Sequence, residues 1–363
     1  MIYLDHAGIG IPLEDILNQE YRYKVAMSRD PSLEFKYTDS IERNKQYISN
    51  EIFGATDYMV SYIRNTTEGL TIASNVLPIV ETDEIIITNL EHRSAANSWE
   101  YICKLKKAKL VIVDIAYDDT DEDICKKYLE VITARTKVIF CSHVDRNFGI
   151  IFPIYKLSEI AFSNNAFMVI DGAQAVGLID INLDEIKCSI YICSFHKWCR
   201  MPAALGVMLT RNNITHSLNR LYVGERRFVE ESPDEKDFGT DELGTRNVAL
   251  EMCLPLLVEW LTSAKKEFNN TVDCHLLKLE SISKEIKILH SLNKNGRGFS
   301  SVEILTYNRA DIQDVFFRDY GILLGRINYN NKTFLRVSYD HDTTDSDFHI
   351  LIEAIKDYVR NVK

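Results

Sequence analysis

The sequence predicts an α/β protein: a mainly parallel seven-stranded sheet sandwiched by helices, followed by a smaller α+β C-terminal domain. Three observations carry that prediction. Over the first two-thirds of the 363 residues, short β-rich runs alternate with helical patterns. Most of those runs are continuously apolar rather than alternating, as suits strands covered on both faces. From about residue 212 the chain becomes charged and glycine-dotted, and helices and strands then return in a different order.

Taken in order, the predicted strands are 59–63 (MVSYI), 84–88 (EIIIT), 109–115 (KLVIVDI), 137–142 (KVIFCS), 167–171 (FMVID), 189–194 (SIYICS) and 205–210 (LGVMLT). Helical patterns fill 66–78, 94–107, 121–133 and 155–163 between the first five. Parallel neighbours need such crossovers, which is why alternation implies a parallel sheet. GERRFVEESPDEKDFGTDELGTRN is weakly periodic and reads as loop. Helices are predicted at 248–268 and near 271–290, then strands SSVEILTY, GILLGRI and TFLRVSY, and a last helix over 345–362. The expected division is an N-terminal segment of 1–15 near the ligand site, a large domain of 16–245 and a small domain of 246–363.

Bulk properties exclude several classes. The chain is 46% hydrophobic and 26% charged, the profile of a globular protein. A net charge of −11 argues against nucleic-acid binding, so any anionic ligand needs a local positive pocket. MIYLDHAGIGIPLED carries acids early and no basic stretch, so no secretory leader is expected. No apolar run reaches the length of a membrane span. The eight cysteines, at 103, 125, 141, 188, 193, 199, 253 and 274, form no CxxC pair. They read as reduced thiols of a cytoplasmic protein, with no zinc site expected.

In an open α/β sheet, ligands bind at the carboxyl ends of the strands. After the predicted strands come Thr66 and Thr67, then His92, then HVDRN, then Asp171 and Gln174, then His196 and Lys197. Each alone has an ordinary explanation. Thr66 can cap a helix, Asp171 can form a turn before Gly172, and Lys197 can snorkel to water. Five strand ends offering such groups on one edge suit a single cofactor, pyridoxal phosphate. Lys197 supplies the amine for a Schiff base, Asp171 a carboxylate for the pyridine nitrogen, Gln174 a donor near the phenolic oxygen, and His92 a planar group over the ring. Helix N-terminal amides and hydroxyls at Thr66, Thr67 and Ser194, with His196, suit the phosphate. Neither GxGxxG nor GxxxxGK[ST] occurs, which removes the usual support for dinucleotide or P-loop chemistry.

IYLDHAG, IRNTTEGLTIASN, EHRSAANSW, SHVDRNFGIIFPI, VIDGAQAVG, SFHKW, GTRN and LRVS run from residue 2 to 338 in one order. In that order they resemble the class V aminotransferase and cysteine desulfurase family of pyridoxal-phosphate enzymes, fold type I. The resemblance implies Lys197 as the Schiff-base lysine and Arg336 as the clamp on the substrate carboxylate. Thr245 matches a residue that reaches the phosphate from a neighbouring subunit, which implies a homodimer with shared sites. Three departures stand out. Desulfurases carry a mobile-loop cysteine shortly before the R-x-S strand, where this chain has GRINYNNKTF. The family's asparagine in SHVSN aligns with Arg146, which could recognise a second carboxylate. The turn after HKW is CRMPAA, and Arg246 replaces a proline after GT.

HKW and the missing cysteine lean toward the isopenicillin N epimerase-like and C–S lyase branch. The implied function is a pyridoxal-phosphate enzyme acting on an amino acid by Cα deprotonation, with Lys197 as general base. Transamination, epimerisation and β-elimination all follow from that step. His92, His6, Tyr222 and Arg146 are candidates for the second proton transfer, and His6, Arg146 and Arg336 form the expected substrate side. The alternatives are a desulfurase using another thiol, such as Cys199 or a partner's, and an inactive relative kept as a binding protein.

Overall fold

The computed structural model describes residues 1–219, 221, 246–264, 286–289, 298–304, 311–340 and 342–361. Ile2–Leu4 form a short strand, β1. The next seven strands are β2 (Tyr58–Ile63), β3 (Glu84–Thr88), β4 (Lys109–Val113), β5 (Thr136–Ser142), β6 (Phe167–Asp171), β7 (Ile190–Ser194) and β8 (Gly206–Arg211). They form one sheet in the order β2-β8-β7-β6-β5-β3-β4. Five of them, from β4 across to β7, pair in parallel, while β8 runs antiparallel to β7 and β2. Helices Thr66–Val76, Arg93–Lys106, Asp121–Val131 and Ile154–Ser163 provide the crossovers expected from the sequence.

The continuous apolar strands face two separate cores. Ile86, Ile139, Ile170 and Cys193 pack into one, whereas Ile85, Ile87, Val138, Val169 and Ile192 pack into the other. Successive side chains of a strand point to opposite faces, so an uninterrupted apolar run buries both.

The chain departs from the sequence expectation in three places. Helices Glu14–Arg29 and Thr38–Phe53 occupy a stretch where the sequence reading places none. The first fully buries only Ile16 and Glu20, and its core-facing stripe of Ile16, Tyr23 and Met27 is interrupted by that glutamate, which weakens the pattern. The predicted 248–268 helix is two helices, Val248–Glu251 and Leu254–Ala264, with Pro255 in the first turn of the second. The predicted helix near 271–290 ends instead in a strand, β9 (Ile286–Leu289), and the rest of it lies outside the described residues. In β9, Ile286 and Ile288 are buried and Lys287 is exposed, a two-residue period that a four-residue fragment barely advertises.

A second sheet has the order β1-β11-β12-β10-β9, with β10 (Phe299–Ile304), β11 (Ile322–Tyr329) and β12 (Lys332–Ser338). Its strands pair antiparallel except β1, which lies parallel to β11 in the register Ile2↔Ile322. Leu4, Val302, Phe316, Leu324, Leu335, Phe348 and Leu351 fill its core beneath helices Ile312–Tyr320 and Asp345–Asn361. Leu254, Leu257 and Leu261 belong to the large core instead. No helix among the described residues is long and apolar enough to cross a membrane, and no group of three or more His, Cys, Asp or Glu there could hold a metal.

Candidate active site

A cavity of about 310 Å³ opens where β2, β5, β6 and β7 end, with residues 7–8 and Arg336 on its other side. Thr66, Thr67, His92, Arg146, Asp171, Gln174, Ser194, His196, Lys197 and Arg336 all line it. Ten residues chosen from sequence therefore meet in one place, although they come from segments spread over most of the chain.

Lys197 lies in the turn that leaves β7. Gly10 donates its backbone N–H to the His196 carbonyl at 2.7 Å, which seats the N-terminal segment against this turn. Any side chain at position 10 would collide with the Lys197 carbonyl, so glycine is required by close approach. Burial lowers the Lys197 amine to about 8, and Asp171 opposes that shift. The result is an amine that carries a usable neutral fraction near neutral pH. Asp171, the last residue of β6, accepts a hydrogen bond at Oδ1 from the Ala173 N–H at 2.8 Å. Burial pushes its carboxyl up while Lys197 pulls it down.

Gln174 is held at both ends. Its Nε2 donates to the Ala7 carbonyl and its Oε1 accepts from the Trp198 indole, each at 2.8 Å. The tryptophan of HKW thus fixes this amide, with one Nε2 hydrogen left for the cavity.

The helix Thr66–Val76 points its N-terminus at the cavity. Asn65 caps it by accepting the Glu68 N–H at 3.0 Å, and Thr66 donates its N–H to Ser194 Oγ at 2.7 Å. The Thr66 and Ser194 hydroxyls lie 2.6 Å apart. His196 Nδ1 is buried and has no hydrogen-bond partner among the described residues. Burial lowers this imidazole to about 4. Hydroxyls, helix amides and an unpartnered ring nitrogen make a cradle for an anion such as phosphate.

His92 caps the helix Arg93–Lys106. Its Nδ1 accepts the Ser94 N–H at 3.1 Å and lies 2.5 Å from Ser94 Oγ. Burial first, then the charges of Arg146, Lys197 and Arg336, lowers its pKa to about 4. A neutral ring with Nδ1 as acceptor carries its proton on Nε2.

Arg336, on β12, donates from Nη2 to Asp5 Oδ1 at 2.7 Å and from Nη1 to the Arg146 carbonyl at 3.1 Å. Its Nε is buried and unpartnered among the described residues. A Cβ on Gly8 would stand 2.6 Å from Asp5 Oδ2, and one on Gly325 2.6 Å from Oδ1. The two glycines leave a slot that the Asp5 carboxylate fills.

Other sequence candidates lie elsewhere. His6 is buried with Nδ1 3.7 Å from Asp340 Oδ2 and does not line the cavity; Ala7 and Gly8 do. Thr245 and Tyr222 lie outside the described residues. The sequence reading also passed over Asp5 and Glu91. Glu91 is partly buried, accepting from Thr88 Oγ1 and Ser142 Oγ at 2.7 Å each, and desolvation pushes it up to about 8. Adjacency to His6 and to His92 was the only signal for either acid, and adjacency says nothing about burial.

The model of the family described as aminotransferase class-V matches residues 2–325. The chain belongs to that family. As a class V enzyme it depends on pyridoxal phosphate, and the donor set above fits that group: a partly buried lysine whose amine Asp171 influences, and a separate cradle for phosphate. The chain is 29% identical to a probable cysteine desulfurase of Halalkalibacterium halodurans over 57% of its own length and 52% of that protein's. It is 23% identical to the hercynylcysteine sulfoxide lyase of Schizosaccharomyces pombe, over 85% of this chain and 81% of the other. Among solved structures, the cysteine desulfurase CsdA of Escherichia coli superposes with a TM-score of 0.81 at 18% identity, covering 99% and 94% of the two chains. The cystine C–S lyase C-DES gives 0.83 at 17% identity, covering 98% and 97%. This class V enzyme therefore has fold type I architecture.

Proposed function

We propose that this enzyme acts on a small amino acid by removing its Cα proton, without a persulfide step, in the manner of a C–S lyase, an epimerase or an aminotransferase. The observation that carries this reading is the hairpin β11–β12. Desulfurases keep their thiol in a mobile loop here, but in this chain Ile327 pairs with Phe334 and Tyr329 with Lys332. The turn is two residues, Asn330 and Asn331, both with positive φ, the geometry of a tight primed hairpin turn. It holds neither a loop nor a cysteine. Cys199, the alternative thiol, is fully buried and does not line the cavity.

When bound, pyridoxal phosphate supplies an aldehyde that condenses with amines and a pyridine ring that withdraws electrons from the substrate. The chain's own groups then have distinct tasks. Thr66, Thr67, Ser194 and His196 hold the phosphate. Asp171 would keep a proton on the pyridine nitrogen, and Gln174 would donate to the phenolic oxygen. Lys197 would be the amine that holds the cofactor, and its side chain would serve as the base for the Cα proton. Arg336 clamps the α-carboxylate, a task suited to a fixed guanidinium. A cavity at the small end of the roughly 300–1,000 Å³ range for ligand sites suits a cofactor with a small amino acid. The proposal includes a cytoplasmic homodimer with Thr245 reaching the neighbouring site.

The test is a panel of amino acids mixed with the loaded enzyme, scoring keto-acid, sulfide and D-isomer release together. The relatives' names favour a second reading, a desulfurase that borrows a thiol. Alkylating the accessible thiols with iodoacetamide separates the two. Turnover is expected to stay within about twofold of the untreated enzyme, whereas its abolition would establish the desulfurase.

The Asp5 slot gives a second measurement. In Gly325→Ala the new Cβ would lie 2.6 Å from Asp5 Oδ1 and 2.8 Å from Arg336 Nε, so one partner must move. A charge-assisted hydrogen bond contributes about 1.5–3 kcal/mol, or roughly ten- to a hundredfold. The KM for the amino acid is expected to rise by at least about tenfold, with kcat changing less. Unchanged KM would remove Arg336 from the clamp.

A further inference from the structure

The cavity holds two arginines in unequal states. Arg336 is already ion-paired with Asp5. Arg146 makes no hydrogen bond or ion pair with its guanidinium among the described residues, although the side chain is largely withdrawn from water and lines the cavity. Its neighbour in sequence does not neutralise it by contact. The two carboxylate oxygens of Asp145 are spent on the backbone, accepting the Asn147 N–H at 2.9 Å and the Phe148 N–H at 2.6 Å. The Arg146 carbonyl accepts from Arg336 Nη1, which fixes the backbone of one arginine against the side chain of the other.

A guanidinium withdrawn from water without a partner loses solvation and gains nothing in return. Such a group persists where a ligand supplies the missing anion. The phosphate cradle lies with Thr66, Ser194 and His196, and Arg336, though paired with Asp5, keeps Nε unpartnered for the α-carboxylate assigned to it above, which leaves the Arg146 guanidinium for a further anion. From this we propose that Arg146 receives a second acidic group, and that the substrate is an amino acid whose side chain bears a carboxylate or a comparable oxyanion. This deepens the function proposed above and rests on it. Arg146 is then a specificity residue, and its bidentate fork distinguishes an acid from its amide. The positive field reaches His92, whose proton affinity burial depresses most and Arg146, Lys197 and Arg336 depress further.

The test uses enzyme loaded with pyridoxal phosphate, reading the change in cofactor absorbance as L-aspartate, L-asparagine, L-glutamate, L-glutamine and L-alanine are titrated in. At least one acid is expected to bind about tenfold more tightly than its own amide. In Arg146→Gln that ratio should fall to within about twofold of unity, and Arg146→Lys, which keeps the charge but not the fork, should restore part of it. Equal affinity for acids and amides in the wild-type enzyme, or a preference that survives Arg146→Gln, would overturn the inference. Both leave the lysine-linked chromophore intact, and so leave the proposed function standing. Absence of any borohydride-trapped cofactor in the wild-type protein would overturn the two together.

Discussion

Lys197→Ala is expected to lose all borohydride-trapped cofactor and at least about a thousandfold in turnover on whichever amino acid proves to be the substrate. A positioned general base contributes roughly 10²–10⁴-fold by itself, and this side chain is also assigned the covalent hold on the cofactor. The fold should tolerate the change, because it takes away an amine that burial already forces toward its neutral form. The same shift fixes a pH dependence. Only the neutral amine attacks an aldehyde, so capture of added cofactor by the wild-type apoprotein should accelerate as pH rises and level off above about 8. Full activity in Lys197→Ala, or capture that is flat between pH 6 and 9, would refute the assignment.

Asp171→Asn should slow turnover by about 10²–10³ while leaving the cofactor trapped on Lys197. An amide cannot hold a proton on the pyridine nitrogen, so the ring withdraws electrons less well. Removing one preorganised electrostatic group costs about this much in other enzymes. The sign of a second effect is set by geometry. Asp171 is the group that raises the Lys197 amine against the effect of burial. Its neutralisation should therefore move the midpoint of cofactor capture below the wild-type value, toward lower pH. A midpoint that moved upward would mean that the two side chains do not face one another.

The sheet was legible because most of its strands are uninterrupted apolar runs; the inner ones are buried on both faces, while β4, at the edge, keeps the run although Ile112 is exposed. The ring of cavity residues was legible for a related reason. Parallel strands end on one edge, so residues following the runs after Ile63, Ser142, Asp171 and Ser194 had to meet there. What failed to show had other causes. The helix Glu14–Arg29 spreads its apolar residues and sets Glu20 within the face that carries Ile16, Tyr23 and Met27, so its period is blurred. Asp5 gained its meaning from Arg336, 331 residues away, and no local pattern spans that distance. His6 was favoured over Asp5 on chemistry alone, yet the backbone turns it away from the cavity toward Asp340.

The pairing of β1 with β11 has a consequence for assembly. Residues 2–10 contribute Asp5, Ala7, Gly8 and the contact at His196, yet their strand neighbour is Ile322–Tyr329 and their bridge is to Ser338. On a ribosome residues 2–10 must wait, unmatched, until residues 322–338 have emerged. Closing so long a loop comes late in folding. The vessel for the cofactor is finished only once that late-made partner is in place, and a chain still short of it cannot begin chemistry early.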